Sequence, residues 1–135
     1  MHECELTRIV LRDTTEEQFI YLREKDGSRR TFPIVIGRSE ARAIDRAIRN
    51  HAPPRPLTHD LLATVLEASG CTLERVEITA LKAGTFFATL QLRRDGETFP
   101  VDARPSDSIA LAVRTGSPIF VSDEVLREAT EAPKA

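Results

Sequence analysis

The two halves of this chain carry the same short motifs at the same spacing, and this repeat restricts the folds that the chain can adopt. Three motifs recur after 67 positions: a Cys-x-Leu-x-Arg segment, a Phe-Pro pair, and a Ser followed by an acidic residue. They begin at Cys4, Phe32 and Ser39 in the first half and at Cys71, Phe99 and Ser106 in the second. Such self-similarity predicts two copies of one structural unit.

The length of 135 residues is typical of one domain, so two such small units would share a single core. We predict one domain over residues 1–130, with the repeat over about 4–48 and 71–115. A frayed tail is predicted over 131–135.

Hydropathy patterning predicts that each unit consists of three strands followed by a helix, which gives an α+β fold. The Asp-Gly pairs at 26–27 and 95–96 predict hairpin turns. Pro33 has no amide donor for a central ladder, so we expect it at an edge strand, at a strand end or at a bulge. The predicted strands lie at 4–12, 18–24, 31–36, 71–80, 85–93, 97–103 and 118–121.

Helical spacing predicts four helices, and the third is so apolar that we expect it to be central. A Gly at position 70 predicts the end of the second helix. The predicted N-cap residues are Ser39, Thr58, Ser106 and Ser122. The side chains predicted to face the core are Ala43, Ile44, Ala47 and Ile48 in the first helix and Leu61, Leu62, Val65 and Leu66 in the second.

The net charge is −2, from 19 basic and 21 acidic side chains, which excludes a strongly basic nucleic-acid binder as an interpretation of the whole chain. Residues 27–55 nevertheless contain seven arginines against two acidic residues. Two interpretations of the helical arginines are open: a row that binds a phosphate backbone, or a solvated face that Glu40 and Asp45 partly neutralise. At helical spacing these arginines form one narrow stripe of candidate substrate ligands, Arg38, Arg42, Arg46 and Arg49.

The segment RPLTHD at 55–60 leads into the second helix, where free backbone amides favour anions. Arg55 is a candidate phosphate ligand. His59 and Asp60 are candidate catalytic residues, with His59 as a general acid or base. In the alternative interpretation Thr58 caps the helix, Asp60 complements its dipole, and His59 is exposed.

The segment DARPSD at 102–107 leads into the third helix. Paired carboxylates suit Mg²⁺ or Mn²⁺, so Asp102 and Asp107 are candidate catalytic and metal-binding residues, and Arg104 is a candidate substrate ligand. In the alternative interpretation Asp107 belongs to the helix start and Asp102 pairs with Arg104. We predict that both aspartates converge with His59 and Asp60 on one pocket.

Several other classes of protein are excluded by what the sequence lacks. The three histidines and two cysteines show no zinc-site spacing, and there is no phosphate-binding glycine loop or nucleophile elbow. No signal peptide and no run of ~20 apolar residues occurs. We therefore expect a cytoplasmic protein with free thiols and no membrane partner. A homo-oligomer is compatible with the sequence.

Three segments of the chain, at 36–44, 55–62 and 102–112, resemble the bifunctional nuclease (BFN) domain family. The resemblance extends over about residues 3–129, with Ser108 where the family more often has alanine. It implies an α+β domain with nuclease activity on RNA and DNA by phosphodiester hydrolysis, and it assigns no catalytic residues. The matched polar positions are Glu40, Arg55, His59, Asp60, Asp102, Arg104 and Asp107.

A second class of function stays open beside the nuclease. A small domain with an acidic total charge and a basic stripe also suits a regulatory or nucleic-acid-binding module without catalysis, or an oligomeric scaffold. A titration with Mg²⁺ or Mn²⁺ distinguishes the two classes, because only a metal-dependent nuclease should bind the cation at its aspartates.

Overall fold

The computed structural model describes residues 1–131, which form seven strands and four helices. In the first half these are β1 (His2–Val10), β2 (Gln18–Glu24), β3 (Thr31–Ile36), α1 (Arg38–Ile48) and α2 (Thr58–Ala68). In the second half they are β4 (Thr72–Lys82), β5 (Thr85–Arg94), β6 (Glu97–Ala103), α3 (Pro105–Thr115), β7 (Ile119–Val121) and α4 (Asp123–Glu131).

All seven strands belong to one sheet with the order β3-β2-β1-β7-β4-β5-β6. The short strand β7 lies at the centre, antiparallel to β1 and parallel to β4, and so joins the two halves. The other neighbours pair antiparallel. This arrangement confirms the predicted α+β fold class.

The sheet curls so that strands far apart in the strand order meet. Phe32 of β3 stacks on Phe86 of β5 with ring centroids 5.7 Å apart, although four strands lie between β3 and β5. Helix α3 packs against α1, α2, β4 and β5 and buries six of its eleven residues. The prediction of a central third helix is therefore confirmed.

Proline occurs in both edge strands of the sheet. Pro33 lies in β3 and Pro100 in β6, and these two strands stand first and last in the strand order. Of the three positions expected for Pro33, the structure shows the edge strand. It follows from the missing amide donor, which a central strand could not tolerate.

A β-bulge interrupts the first strand of each half at equivalent points. The register shifts between Leu6 and Arg8 in β1 and between Leu73 and Arg75 in β4, positions that the 67-residue offset aligns. The halves differ at their edge strands, because Phe32 is buried whereas the aligned aromatic residue in β6 is exposed. The matched bulges support a duplication, while an overlay of the two halves stays a prediction.

Three of the four predicted helix caps are wrong, because each helix begins one or two residues earlier than predicted. Pro105, with its fixed φ, suits the first turn of α3. Ser122 is confirmed as a cap, since its Oγ accepts a hydrogen bond from the Val125 amide at 3.1 Å. The N-cap residues of α1, α2 and α3 are Gly37, Leu57 and Arg104, in place of Ser39, Thr58 and Ser106.

The predicted inward orientation of α2 is wrong for three of its four apolar residues. Leu61, Leu62 and Val65 are exposed, and only Leu66 of the four packs against the core. The reason is that α2 contacts α3 and a small part of β4, so the fold covers one narrow side of this helix. Ile48, predicted to be buried in α1, is also exposed.

A buried carboxylate ties α4 to the sheet. Glu24 of β2 is 3% exposed and accepts hydrogen bonds from the backbone N–H and the Nε of Arg30, at 2.9 and 2.7 Å. Arg30 Nη2 also donates to Asp123, the first residue of α4, at 2.9 Å. The Nε2 atom of His2 lies 3.1 Å from the same Asp123 carboxylate.

Within residues 1–131 no helix is long and apolar enough to cross a membrane. Cys4 and Cys71 are both free thiols. The predicted frayed tail lies outside the described residues except for Glu131, where α4 ends in the structure.

Candidate functional site

Four polar side chains form a continuous row near the N-terminal ends of three helices. The Nε2 atom of His59 lies 3.0 Å from Asp107 Oδ1. Arg104 Nε donates to Asp107 Oδ2 at 2.9 Å, and Arg104 Nη2 donates to Glu40 Oε1 at 3.1 Å. Two residues that are 48 positions apart in the sequence, His59 and Asp107, are therefore in direct contact.

The local sequence explains why these side chains occur where they do. Glu40 and Asp107 lie in the first turns of α1 and α3, and His59 lies in the first turn of α2. The free amides of a first turn favour a negative charge. Because α1 and α2 both pack on α3, the three helix starts come together, and the guanidinium of Arg104 bridges the two acids.

A cleft of about 310 Å³ opens beside this row, between α1, α2, α3 and the connection that follows α1. His59 lines the cleft as well as belonging to the row, and its side chain is 20% exposed. The other ionisable side chains of the lining are Arg46, His51, Asp60 and Arg114. This size falls near the lower end of small-ligand pockets, and the mixture of cations and histidines suits an anionic group.

Asp60 holds Arg114 at the wall of the cleft. The Leu57 amide donates to Asp60 Oδ2 at 3.0 Å, and Arg114 Nε donates to Asp60 Oδ1 at 3.0 Å. The hydrogen bond from Leu57, helped by Arg114 and by the charge of Arg46, holds the pKa of Asp60 below its usual range despite burial. Asp60 is therefore a carboxylate at neutral pH that orients a cation.

Asp107 fixes the protonation pattern of His59. Burial raises the pKa of Asp107, but the hydrogen bonds from Arg104 and His59 outweigh burial, and the pKa is lowered overall. An ionised carboxylate only accepts hydrogen bonds, so the His59 proton lies on Nε2. Nδ1, which forms no hydrogen bond within residues 1–131, is then the nitrogen that can accept a proton. Carboxylates orient catalytic histidines in this way.

Two arginines of the predicted stripe are occupied by contacts elsewhere in the protein. Arg38 Nη2 donates to the carbonyl oxygens of Asp13 and Thr15, at 3.0 and 2.8 Å. Arg49 Nε lies 3.1 Å from Asp45 Oδ1, one helical turn away. Arg38 thus fastens the β1–β2 connection to α1.

Of the remaining predicted arginines, two belong to the site and two do not. Arg46 lines the cleft and Arg104 belongs to the polar row. Arg42 and Arg55 are exposed, and neither forms an ion pair with another residue of the described chain. Arg46 reaches the cleft because it lies at the margin of the stripe, nearest the side of α1 that carries Ala43.

Asp102 is not brought into the row. It pairs with Thr89 across β5 and β6, next to the pair formed by Ala88 and Ala103. Side chains alternate along a strand, so Asp102 points to the side of the sheet opposite the buried Ala88. Of the four residues predicted to converge, His59 and Asp107 touch, and Asp60 lies at the same cleft.

Arg114 is a site residue that the sequence analysis missed, although a signal for it exists. It follows Asp107 by seven residues in α3, and this spacing returns to the same side of a helix after two turns. Ala110 lies between them on that side and also lines the cleft. A helical projection of α3 from Asp107 would have found it.

The donor groups of the site offer limited support for a bound cation. Within residues 1–131 there is no cluster of three or more His, Cys, Asp or Glu side chains arranged to hold a metal ion. Both oxygens of Asp107 already accept hydrogen bonds, and Asp102 faces away from it. Mg²⁺ can bind through one or two carboxylates with substrate phosphates as further ligands, so the cation stays a prediction.

Comparison with known proteins gives matches that cover most of the chain. A family model described as "Bifunctional nuclease domain" matches residues 20–134, which is most of the chain. An uncharacterized protein of Mycobacterium tuberculosis is 43% identical over 129 residues, covering 96% of this chain and 76% of the relative. The match thus includes all the elements that form the cleft.

Plant relatives carry functional names. Bifunctional nuclease 1 of Oryza sativa subsp. japonica is 30% identical over 118 residues, covering 85% of this chain and 36% of the relative. Bifunctional nuclease 1 of Arabidopsis thaliana is 29% identical over 115 residues, covering 83% and 35%. The chain spans about a third of the length of these plant proteins. On the family match and these similarities, the chain belongs to the bifunctional nuclease domain family.

Proposed function

We propose that this domain hydrolyses phosphodiester bonds of nucleic acids in the cleft beside His59. The observation that carries the proposal is the contact of 3.0 Å between His59 Nε2 and Asp107 Oδ1, at a cleft lined by Arg46 and Arg114. Membership of the bifunctional nuclease domain family supports the reaction class.

In the proposed reaction His59 is the general base. Its Nδ1 removes a proton from a water molecule, and the water oxygen attacks phosphorus. The bond from phosphorus to the leaving sugar oxygen breaks, and that oxygen takes a proton from the imidazolium or from solvent. Asp107 keeps the imidazole oriented and stabilises its positive charge while it holds the proton.

Arg46 and Arg114 are the proposed phosphate ligands. Nε of Arg114 is bound to Asp60, and its terminal nitrogens form no hydrogen bond with another described residue, so they can donate to phosphate oxygens. Fixed guanidinium donors also stabilise the charge that grows on the phosphoryl oxygens as the new bond forms. Arg42, exposed on the neighbouring turn of α1, extends this positive surface.

Nuclease assays on single-stranded RNA, single-stranded DNA and duplex DNA test the proposal. General acid–base groups typically contribute 10²–10⁴-fold, so we expect His59→Gln to lower kcat about 100-fold or more and Asp107→Asn to lower it less. Asp95→Asn is the matched control, because Asp95 lies in an exposed hairpin turn remote from the cleft. Equal activity in wild type and His59→Gln would identify a contaminating nuclease and overturn the proposal.

Substrate binding is measured separately from cleavage with the inactive His59→Gln variant. Each phosphate contact contributes a slope of roughly −0.7 to −0.9 to the log–log dependence of affinity on salt. Replacing Arg42 and Arg46 with glutamine should therefore flatten the slope by about one to two units. An unchanged slope would show that these two arginines are solvated surface.

The divalent cation predicted at the aspartates is tested in the same assay. Loss of activity on adding EDTA and its return with Mg²⁺ or Mn²⁺ would support a metal-dependent reaction. A higher cation concentration for half-maximal activity in Asp107→Asn would support a cation at this carboxylate. Binding of nucleic acid without cleavage under all these conditions would instead favour the non-catalytic module.

A further inference from the structure

One side of α2 is an apolar surface that the described chain leaves uncovered. None of its eleven residues is buried. Isolated helices shorter than ~12–15 residues are marginal in water, so packing must supply most of the stability of α2. The fold packs only the side that faces α3. The α2 surface consists of Leu57, Leu61, Leu62 and Val65, which are 41, 56, 38 and 51% exposed.

The spacing of the α2 surface is that of a helix–helix contact. Leu57, Leu61 and Val65 follow one another at intervals of four residues and form a single stripe, with Leu62 beside it. His59 and Leu66 lie on the opposite side, towards the cleft and the core. Leu57 also lines the cleft, whereas Leu61, Leu62 and Val65 do not, so the α2 surface meets the site proposed for catalysis only at Leu57.

The geometry points to a second copy of this chain as the partner: we propose that the α2 surfaces of two copies pack against each other across a two-fold axis. Two-fold dimers, in which one patch meets itself, are the commonest protein assemblies. The stripe is symmetric about Leu61, so an antiparallel pair places Leu57 against the partner subunit's Val65 on both sides of the axis.

The α2 surface supplies a large part of the apolar area that such an interface needs. The four side chains together expose roughly 300 Å² of apolar surface, within the range of functional patches on proteins. A standard interface buries ~800 Å² per partner, of which ~57% is apolar. The α2 surface alone therefore supplies about two-thirds of the apolar area that a stable dimer needs.

The charge of α2 argues against nucleic acid and anionic lipid as partners of the α2 surface. The helix contains Asp60 and Glu67 and no lysine or arginine. Nucleic acid and anionic lipid surfaces are both bound through basic residues, which are absent from this helix. Packing against a second α2 surface, which is also apolar at its centre, requires no basic residues.

Sedimentation equilibrium of the full 135-residue chain between about 1 and 100 μM tests the proposal. We expect wild type to sediment at twice its chain mass of 15.1 kDa and Leu61→Glu to sediment as a monomer. Val35→Glu is the matched control, since Val35 is also 51% exposed but lies on the edge strand β3, and it should remain dimeric. A monomeric wild type, or a dimeric Leu61→Glu, would overturn the proposal.

A second variant keeps the test informative if Leu61→Glu fails to fold. Leu61→Cys places a thiol near the proposed axis, so mild oxidation should give a covalent dimer, whereas Val35→Cys should not. The melting temperature of wild type should also rise with protein concentration, as expected for a dimer that dissociates on unfolding. Failure of Leu61→Cys to cross-link more than Val35→Cys would contradict the antiparallel pairing. None of these readouts depends on nuclease activity.

Discussion

Replacing Arg30 with methionine removes the charged partner of a buried carboxylate, and we expect a large loss of stability. Glu24 would lose the bonds from Arg30 Nε and Nη2, at 2.7 and 3.3 Å, and would keep the backbone bond at 2.9 Å. Breaking a buried ion pair by removing one partner costs about 3–5 kcal/mol. Because the backbone bond remains and Arg30 is 27% exposed, we expect the lower end, about 3 kcal/mol.

The loss should depend on pH in a defined direction. The hydrogen bond from Arg30 lowers the pKa of Glu24 in the folded protein, against the opposing effect of burial. Glu24 therefore contributes stability above about pH 4.3, which is the ordinary pKa of a glutamate side chain. It loses that contribution as the pH falls through the pKa that Glu24 has in the folded protein. The difference between wild type and Arg30→Met should accordingly shrink in acid.

Urea denaturation at pH 7 and at about pH 3, well below the ordinary pKa of glutamate, measures both effects. A loss of about 3 kcal/mol corresponds to a fall in Tm of roughly 6–12 °C for a domain of this size. Glu24→Gln and the double variant that combines it with Arg30→Met complete a double-mutant cycle. The double variant should lose less unfolding free energy than the sum of the losses in the two single variants. A loss under about 1 kcal/mol at pH 7, or the same loss at both pH values, would refute the argument from burial.

Three smaller effects follow from other parts of the fold. In Gly37→Ala the new Cβ would clash with Glu40 Oε2, so the Glu40 carboxylate must move away from its partner Arg104. Such exposed ion pairs contribute little, so urea denaturation should show a loss of unfolding free energy below ~1 kcal/mol. Ala83 has a φ of 50° in a hairpin turn that favours asparagine, so Ala83→Asn should raise the free energy of unfolding by about 0.5–1 kcal/mol, and a decrease would contradict this. Burial raises the pKa of the Cys4 thiol to about 12, so a thiol reagent at pH 8 should label Cys71 much faster than Cys4, and equal rates would count against the buried position.

The strands and turns of this protein could be predicted because short-range sequence determines them. Asp95 and Gly96 have φ values of 51° and 79°, the left-handed conformations that an Asp-Gly hairpin turn adopts. The position of β7 could not be predicted in this way. It has only three residues, and its pairing with β1 and β4 depends on contacts with segments distant in the sequence.

The candidate site was accessible from sequence only in part. Helix starts indicated His59 and Asp107, because acids and anion ligands concentrate in first turns, but their contact depends on how α2 packs on α3. Asp102 was grouped with Asp107 by proximity in the sequence, while strand alternation separates their side chains. For Leu61 the hydropathy pattern indicated an apolar side of α2, but whether other parts of the chain cover that side depends on tertiary packing.

The prolines at the two borders of the sheet affect how this protein can associate at high concentration. A proline in a paired strand must turn its nitrogen away from its neighbour, so the outer rims of β3 and β6 each lack a donor at Pro33 and Pro100. An incoming strand from another molecule would meet a gap in the ladder on either rim. Growth of the sheet into an open-ended fibre by strand addition is thereby hindered at both of its edges.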